Sequence, residues 1–99
     1  MARETQESIT KWAEETFGIA KSCLTIINRA TEEIVEMRDN ALIDDKHPDI
    51  AEELADVFIV LYQVAAILGV DLHEEIDKKM AINRARKWKL RGDGCGDHV

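Results

Sequence analysis

Apolar residues recur along this chain with the period of a helix almost to its end. Ile9, Trp12, Ala13 and Phe17 stand at i, i+3, i+4 and i+8, one face of a first helix, and Gly18 supplies its stop. Ala20, Cys23, Leu24, Ile27, Ala30, Ile34 and Met37 mark a longer second helix that runs towards Ala41 and gives way to the polar stretch DDKHPD. Pro48 suits the first turn of a third helix, where its missing N–H costs nothing, and Asp49, Glu52 and Glu53 favour the positive end of the helix dipole. Gly69 is the expected C-terminal stop. Asp71 followed by Glu74 resembles a capping box, and Leu72, Ile76 and Met80 carry a fourth helix towards Trp88, ending before Gly92. No run of alternating polarity is bounded by turn residues, so the expected class is all-α. The expected architecture is a four-helix bundle forming a single domain over 1–99, with 91–99 a glycine-rich tail that reads as loose chain.

Size and charge narrow what such a bundle can do. Ninety-nine residues, 45% hydrophobic, support one core, and a helical chain this short often completes its burial against copies of itself. A homodimer or homotetramer is expected. The formal charge of -7 speaks against a nucleic acid polymer as partner, because such a partner needs a broad basic surface. No apolar run approaches the roughly 18 residues of a membrane span, so no membrane partner is expected. The polar start MARETQES and the two separated cysteines, Cys23 and Cys95, fit a soluble, cytoplasmic protein without a disulfide framework. Cys95 and His98 form half of a zinc spacing, to which no metal is assigned.

The charges are unevenly placed. Ten of the 20 acidic residues fall between Glu32 and Asp56, while Lys78, Lys79, Arg84, Arg86, Lys87, Lys89 and Arg91 supply seven of the 13 basic ones. Solvated faces explain much of such a pattern, but not the third helix. From Leu54 to Ala66 it reads LADVFIVLYQVAA, apolar nearly all round, as in a buried central helix or an oligomer contact. Asp56 sits inside that run. A carboxylate buried there needs a base or a metal, because burying it unpaired costs several kcal/mol. Glu53, three residues earlier, shares its side, and two anions on one face raise the demand for a cation.

The second helix repeats the device in EEIVE, where Glu33 and Glu36 lie three apart and Glu32 and Glu36 four apart. Taken alone, that string is an ordinary solvated face. Joined by a short loop, the two helices pack antiparallel and can bring Glu33 and Glu36 opposite Glu53 and Asp56. Four carboxylates without histidine suit Mg²⁺, with Mn²⁺ as a possible substitute, rather than zinc. The absence of any Glu-x-x-His pair counts against a di-iron bundle.

The strings EEIVE and EELAD on consecutive helices resemble the Glu-Glu-x-x-Glu and Glu-Glu-x-x-Asp motifs of the MazG-like all-α nucleoside triphosphate pyrophosphohydrolases. KMAINRARKW resembles the fourth-helix signature of the same group, and ITKWAEETFG and DGCGDHV are most similar to its small phage and bacterial members that act on dATP and dGTP. The resemblance implies a hydrolase that cleaves (deoxy)nucleoside triphosphates to monophosphate and pyrophosphate. It further implies that Glu33, Glu36, Glu53 and Asp56 hold the metal, that Glu32 orients or deprotonates the attacking water, and that Lys79 and Asn83 contact the phosphates. Under it the tail can fold back over the site.

Trp12 could stack on a base, although a tryptophan on an amphipathic helix, like Trp88 and Tyr62, is commonly core filling. Arg86 and Lys87 read as a solvated helix end, and His47 and His73 as surface residues. Two other readings are a phosphoribosyl-ATP pyrophosphohydrolase, with similar paired acids, and a non-catalytic helical dimerisation module that turns over no nucleotide.

Overall fold

The computed structural model describes residues 3–99. Four helices follow the sequence pattern: α1 (Gln6–Phe17), α2 (Cys23–Ile43), α3 (Asp49–Leu68) and α4 (Leu72–Ala85). Their ends are set by local chemistry. Thr5 and Ser8 form a reciprocal capping box at the start of α1, and the Gly18 N–H closes its end on the Glu14 carbonyl. Ser22 caps α2 by accepting from the Thr25 N–H, so Ala20 lies in the connection rather than in the helix. Gly69, at φ 68°, gives α3 the left-handed terminus that only glycine adopts freely. Asp71 caps α4 by accepting from the Glu74 N–H.

The turn at 44–48 returns α3 along α2, and α1 covers part of α3. Asn40, near the end of α2, bonds to Glu53, near the start of α3, while Glu33, further back on α2, shares a cavity with Asp56, further on along α3. That order of partners is the antiparallel hairpin expected. Its buried apolar side chains, Ala30, Val57 and Ala65, are small, as is Ala13 on α1, so the backbones approach closely but enclose little.

The fold is the all-α, four-helix one expected, and within it α4 stands away from the hairpin. This helix turns through 93° from α3 and buries no residue. The corner is tied down by Gln6, whose side-chain amide donates to the Val70 carbonyl at 2.8 Å and whose side-chain carbonyl accepts from the Leu72 N–H at 2.8 Å. α4 also stops earlier than the pattern suggested. Arg86 is extended, and the Trp88 indole N–H donates to the Asn83 carbonyl at 2.9 Å, sharing that acceptor with the Arg86 N–H at 3.3 Å.

Trp88–Leu90 then forms β1 and pairs antiparallel with Gly96–His98, β2, in the register Trp88↔His98, Lys89↔Asp97, Leu90↔Gly96. The tail is thus a β-ribbon rather than loose chain, and its strands pair with each other. Three-residue strands are too short to show alternation, which is why the pattern missed them. Glycine suits position 96, since a Cβ there would stand a tight 3.0 Å from the Lys89 carbonyl oxygen. Arg91 grips Asp97 with a two-pronged ion pair, and the Trp88 and His98 rings meet edge to face at 6.3 Å.

The molecule is open. Its radius of gyration is 16.0 Å, against about 13 Å for a compact chain of this length. No single helix among the described residues is long and apolar enough to cross a membrane.

Candidate metal and nucleotide site

Glu33 is the centre of the site. It lies three residues after buried Ala30 on the face of α2 that meets α3, and at 6% exposure it is the buried charged side chain among the described residues. Its nearest partner is Arg29, one turn earlier, whose Nη2 meets Glu33 Oε1 while Nη1 reaches Glu32 Oε2 at 3.3 Å. Glu36, one turn later, is exposed. Its carboxyl is held above the ordinary value chiefly by the charge of Glu33, then by partial desolvation, a hydrogen bond shared with Glu33 and the charge of Glu53, with Arg29 acting in the opposite sense. Across the hairpin, Asn40 Nδ2 donates to Glu53 Oε1.

Two expectations are corrected here. Asp56 is exposed, not sequestered, because the apolar run around it faces outward at Leu54 and Phe58, each 46% exposed. The EEIVE string, ordinary by composition, instead supplies the buried acid. Part of the apolar character of α3 therefore lies on a surface that this chain leaves uncovered, while Val57 and Ala65 are buried.

Glu33 and Asp56 line one cavity of about 490 Å³, together with Trp12, Phe17, Arg29 and Gln63. Trp12 is half exposed and meets Phe17 edge to face at 5.5 Å, so it walls this cavity rather than filling a core. Arg29, Asn40, Phe17 and Gln63 were not singled out by sequence. Arg29 had a signal in its i, i+4 spacing to Glu33; Asn40 had none, since its partner lies on another helix.

As they stand, no three acids, histidines or cysteines among the described residues are close enough to grip an ion. Glu33 and Glu53 are each drawn towards a nitrogen partner. Even so, the donor set fits a hard divalent cation: the carboxylates of Glu33, Glu36 and Glu53 crowd one another enough to raise the Glu36 carboxyl above its ordinary value, and Asp56 shares the cavity of Glu33.

Lys79 and Asn83 are not brought to this cavity in the same chain. About twelve residues of α3 separate Asp56 from the corner and about seven of α4 lead on to Lys79, which at a right angle and about 1.5 Å per residue leaves roughly 20 Å between them. Lys79 is exposed and Asn83 half-buried, its side-chain amide 3.8 Å from the Met80 sulfur. Glu32 is exposed beside Arg29, His73 is exposed, His47 is half-buried and accepts from the Asp49 N–H at 3.1 Å, and Tyr62 is half-buried.

A helical hairpin that presents paired acids to a cavity walled by aromatic rings defines a class of all-α proteins, and the sequence places the chain within it. The family model described as MazG-like matches residues 23–94, and the chain belongs to the MazG-like family. It is 32% identical over 96 residues to a dATP/dGTP diphosphohydrolase of Salmonella phage PMBT28, covering 97% of this chain and 31% of that protein. It is 47% identical over 47 residues to a dATP/dGTP diphosphohydrolase of Cyanophage S-2L, covering 48% of this chain and 45% of that one. The chain thus spans less than half the length of these curated relatives. Among solved structures, it is similar to the Cyanophage S-2L MazG-like pyrophosphohydrolase bound to dGDP and three catalytic Mn²⁺ ions per active site. That similarity has a TM-score of 0.74 and 33% identity, and covers 95% of this chain and 88% of that chain.

Proposed function

We propose that this chain hydrolyses (deoxy)nucleoside triphosphates to monophosphate and pyrophosphate with Mg²⁺, for which Mn²⁺ can substitute, and that dATP and dGTP are its first candidate substrates. The observation that carries the reading is the buried carboxylate of Glu33 sharing one cavity with Asp56, Trp12 and Phe17. A buried acid crowded by two others is stable only beside cations, and an aromatic wall beside it suits a nucleobase. The Mn²⁺ ions and dGDP held by the cyanophage neighbour, and the substrates in its relatives' names, support the same assignment.

In this scheme Glu33, Glu36, Glu53 and Asp56 hold the metal ions. When bound, these would neutralise the phosphates and lower the pKa of a water to the range of a useful nucleophile. Glu32, exposed at the edge of the cluster, orients or accepts a proton from that water. Trp12 stacks on the base and Phe17 braces it edge to face. Lys79 and Asn83, one turn apart, hold phosphate oxygens.

The last pair calls for a second copy. The chain exposes 8039 Å², against about 5,700 Å² for a compact protein of this mass. The excess of about 2,300 Å² per chain, doubled over two chains, lies within the total that an obligate homodimer buries in its interface. Leu54 and Phe58 on α3, with Ile76 and Met80 on α4, form the apolar stripes that such an interface covers. The basic arm of one chain then meets the acidic hairpin of another.

The deciding experiment is pyrophosphate release from a panel of deoxynucleoside and ribonucleoside triphosphates, with phosphoribosyl-ATP included, in Mg²⁺ and in chelator. Metal-dependent release from the deoxynucleotides is expected. A panel without turnover in Mg²⁺ or Mn²⁺ would falsify the reading.

A further inference from the structure

Among the described residues, the only ion pairs to any of Glu32, Glu33, Glu36, Glu53 and Asp56 come from Arg29. Its guanidinium forks between Glu32 and Glu33, and the two ends of the stronger pair differ sharply in setting. The Glu33 side chain is 7% exposed and the Arg29 side chain 52%. The carboxylate is fixed in the wall between α2 and α3, while the cation sits at the mouth of the same cavity on a long, mobile stem. A guanidinium does not give up its proton in a protein, so its charge can leave Glu33 only if the side chain moves. Arg29 and a divalent cation are therefore rivals for one buried carboxylate. When the side chain swings away, its reach covers the space between Glu33 and the rings of Trp12 and Phe17, where the proposed nucleotide lies.

We propose that Arg29 is the internal counter-ion of Glu33, displaced when a divalent cation binds, and that the displaced guanidinium then takes a phosphate oxygen of the nucleotide in the same cavity. The inference rests on the metal assignment made above and gives Arg29 two partners in turn. In the protein stripped of divalent ions it keeps Glu33 from being a buried, unpaired charge. With metal and nucleotide present it offers two parallel N–H groups to an anion of matching shape. A positive side chain that yields its carboxylate only to a doubly charged ion also ties metal loading to substrate capture, since the same movement serves both.

The test uses Arg29→Met, which keeps the aliphatic stem and removes the charge, and Arg29→Lys, which keeps the charge and removes the fork. The chelator-treated proteins are titrated with Mn²⁺ alone by calorimetry, melted with and without Mn²⁺, and assayed with dATP. For Arg29→Met, Mn²⁺ affinity should rise about fivefold, the increment expected for losing one partly exposed competing ion pair. Its melting temperature in chelator should fall, and the rise on adding Mn²⁺ should be larger than in the parent. KM for dATP should rise about tenfold with kcat nearly unchanged. Arg29→Lys should lie between parent and Met in each measurement, which keeps the test open if the Met variant folds poorly.

Mn²⁺ affinity that stays the same or weakens in Arg29→Met overturns the counter-ion role, and an unchanged KM overturns the phosphate role. The parallel pair Glu53→Gln and Asp56→Asn separates this failure from a deeper one. If those lose Mn²⁺ while Arg29→Met is silent, only the Arg29 inference falls. If both of them bind Mn²⁺ as well as the parent does, the metal assignment falls and this inference with it.

Discussion

The α2–α3 hairpin and the arm made of α4 and the β-ribbon are built on different principles. Of the five buried side chains among the described residues, four lie on α2 and α3: Ala30, Glu33, Val57 and Ala65. α4 buries none, and every residue of β1 and β2 is exposed. The hairpin is held chiefly by packing, which depends little on pH, with the Asn40–Glu53 hydrogen bond added across it. The arm is held by hydrogen bonds and ion pairs: Gln6 at its root, Lys78 to Glu75 along α4, Trp88 to Asn83 at its bend, and Arg91 to Asp97 across the ribbon. An element with little buried apolar area opens at low cost in free energy. The acids thus stand on a rigid platform, while the proposed phosphate contacts stand on an arm that can adjust to a partner chain. The proposed site, which would have to fix metal ligands to within a fraction of an ångström and still admit a nucleotide, is served by this division.

The largest effects should come from the platform. Glu33→Gln and Asp56→Asn are each expected to lower kcat roughly a thousandfold, since removing a ligand forfeits several kcal/mol of charge stabilisation in the transition state. Their stabilities should differ. Glu33→Gln alters a buried charge and should shift the melting temperature of the chelator-treated protein, whereas exposed Asp56→Asn should leave it where it was. Circular dichroism and steady-state assays on the two variants check this. Near-parent turnover in either would remove that residue from the metal set.

How much of this could be read from residues alone differs between the two regions. The helices of the hairpin, its turn and its antiparallel sense follow from period and from Pro48, and the acids follow from their spacing. What the pattern misjudged was which acid is buried. Apolar neighbours along a helix tell which side chains seek cover, not which face finds it. Asp56 lies among oily residues that one chain leaves exposed, and Glu33 lies beside Ala30, whose small side chain lets α3 come close. The arm was less legible. α4 was evident from Asp71, Leu72 and Ile76, but its 93° departure is fixed by Gln6, a residue more than sixty positions away whose polar side chain carries no periodic signal. The ribbon depends on cross-strand partners such as Arg91 and Asp97, and in a glycine-rich string those look like loop residues.

Effects on the arm should be smaller and should appear in KM. Lys79→Ala is expected to raise KM about tenfold by removing one charged contact to phosphate. If the arm serves a neighbouring copy, mixing inactive Asp56→Asn chains with Lys79→Ala chains should return activity above either alone, because some mixed oligomers pair an intact acidic site with an intact arm. A mixture no better than the average of its parts would assign Lys79 to its own chain. Trp88→Phe keeps the ring facing His98 and removes only the indole donor to the Asn83 carbonyl. The expected cost is about 1 kcal/mol at the end of α4, seen as faster amide exchange from Arg84 onward and a rise in KM of two- to threefold by order of magnitude.

The smallest effect is a pH dependence confined to the ribbon. Hydrogen bonding to Arg91 holds the Asp97 carboxyl below its usual value, with slight desolvation opposing it. Because the folded ribbon favours the ionised form, it gains stability from this pair once pH exceeds the ordinary aspartate value of 3.8, and loses it as pH falls through the depressed folded value. Both side chains are more than half exposed, so the gain is screened by salt and modest. Acidifying from pH 5 to about pH 2.5 should therefore release the Trp88–His98 contact while the helical signal of α2 and α3 persists, and Asp97→Asn should show the released state already at pH 5. Trp88 indole resonances followed by NMR across that range decide it. If ribbon and hairpin melt together in one acid transition, the arm is not an independently held element, and the contrast between the two regions dissolves with it.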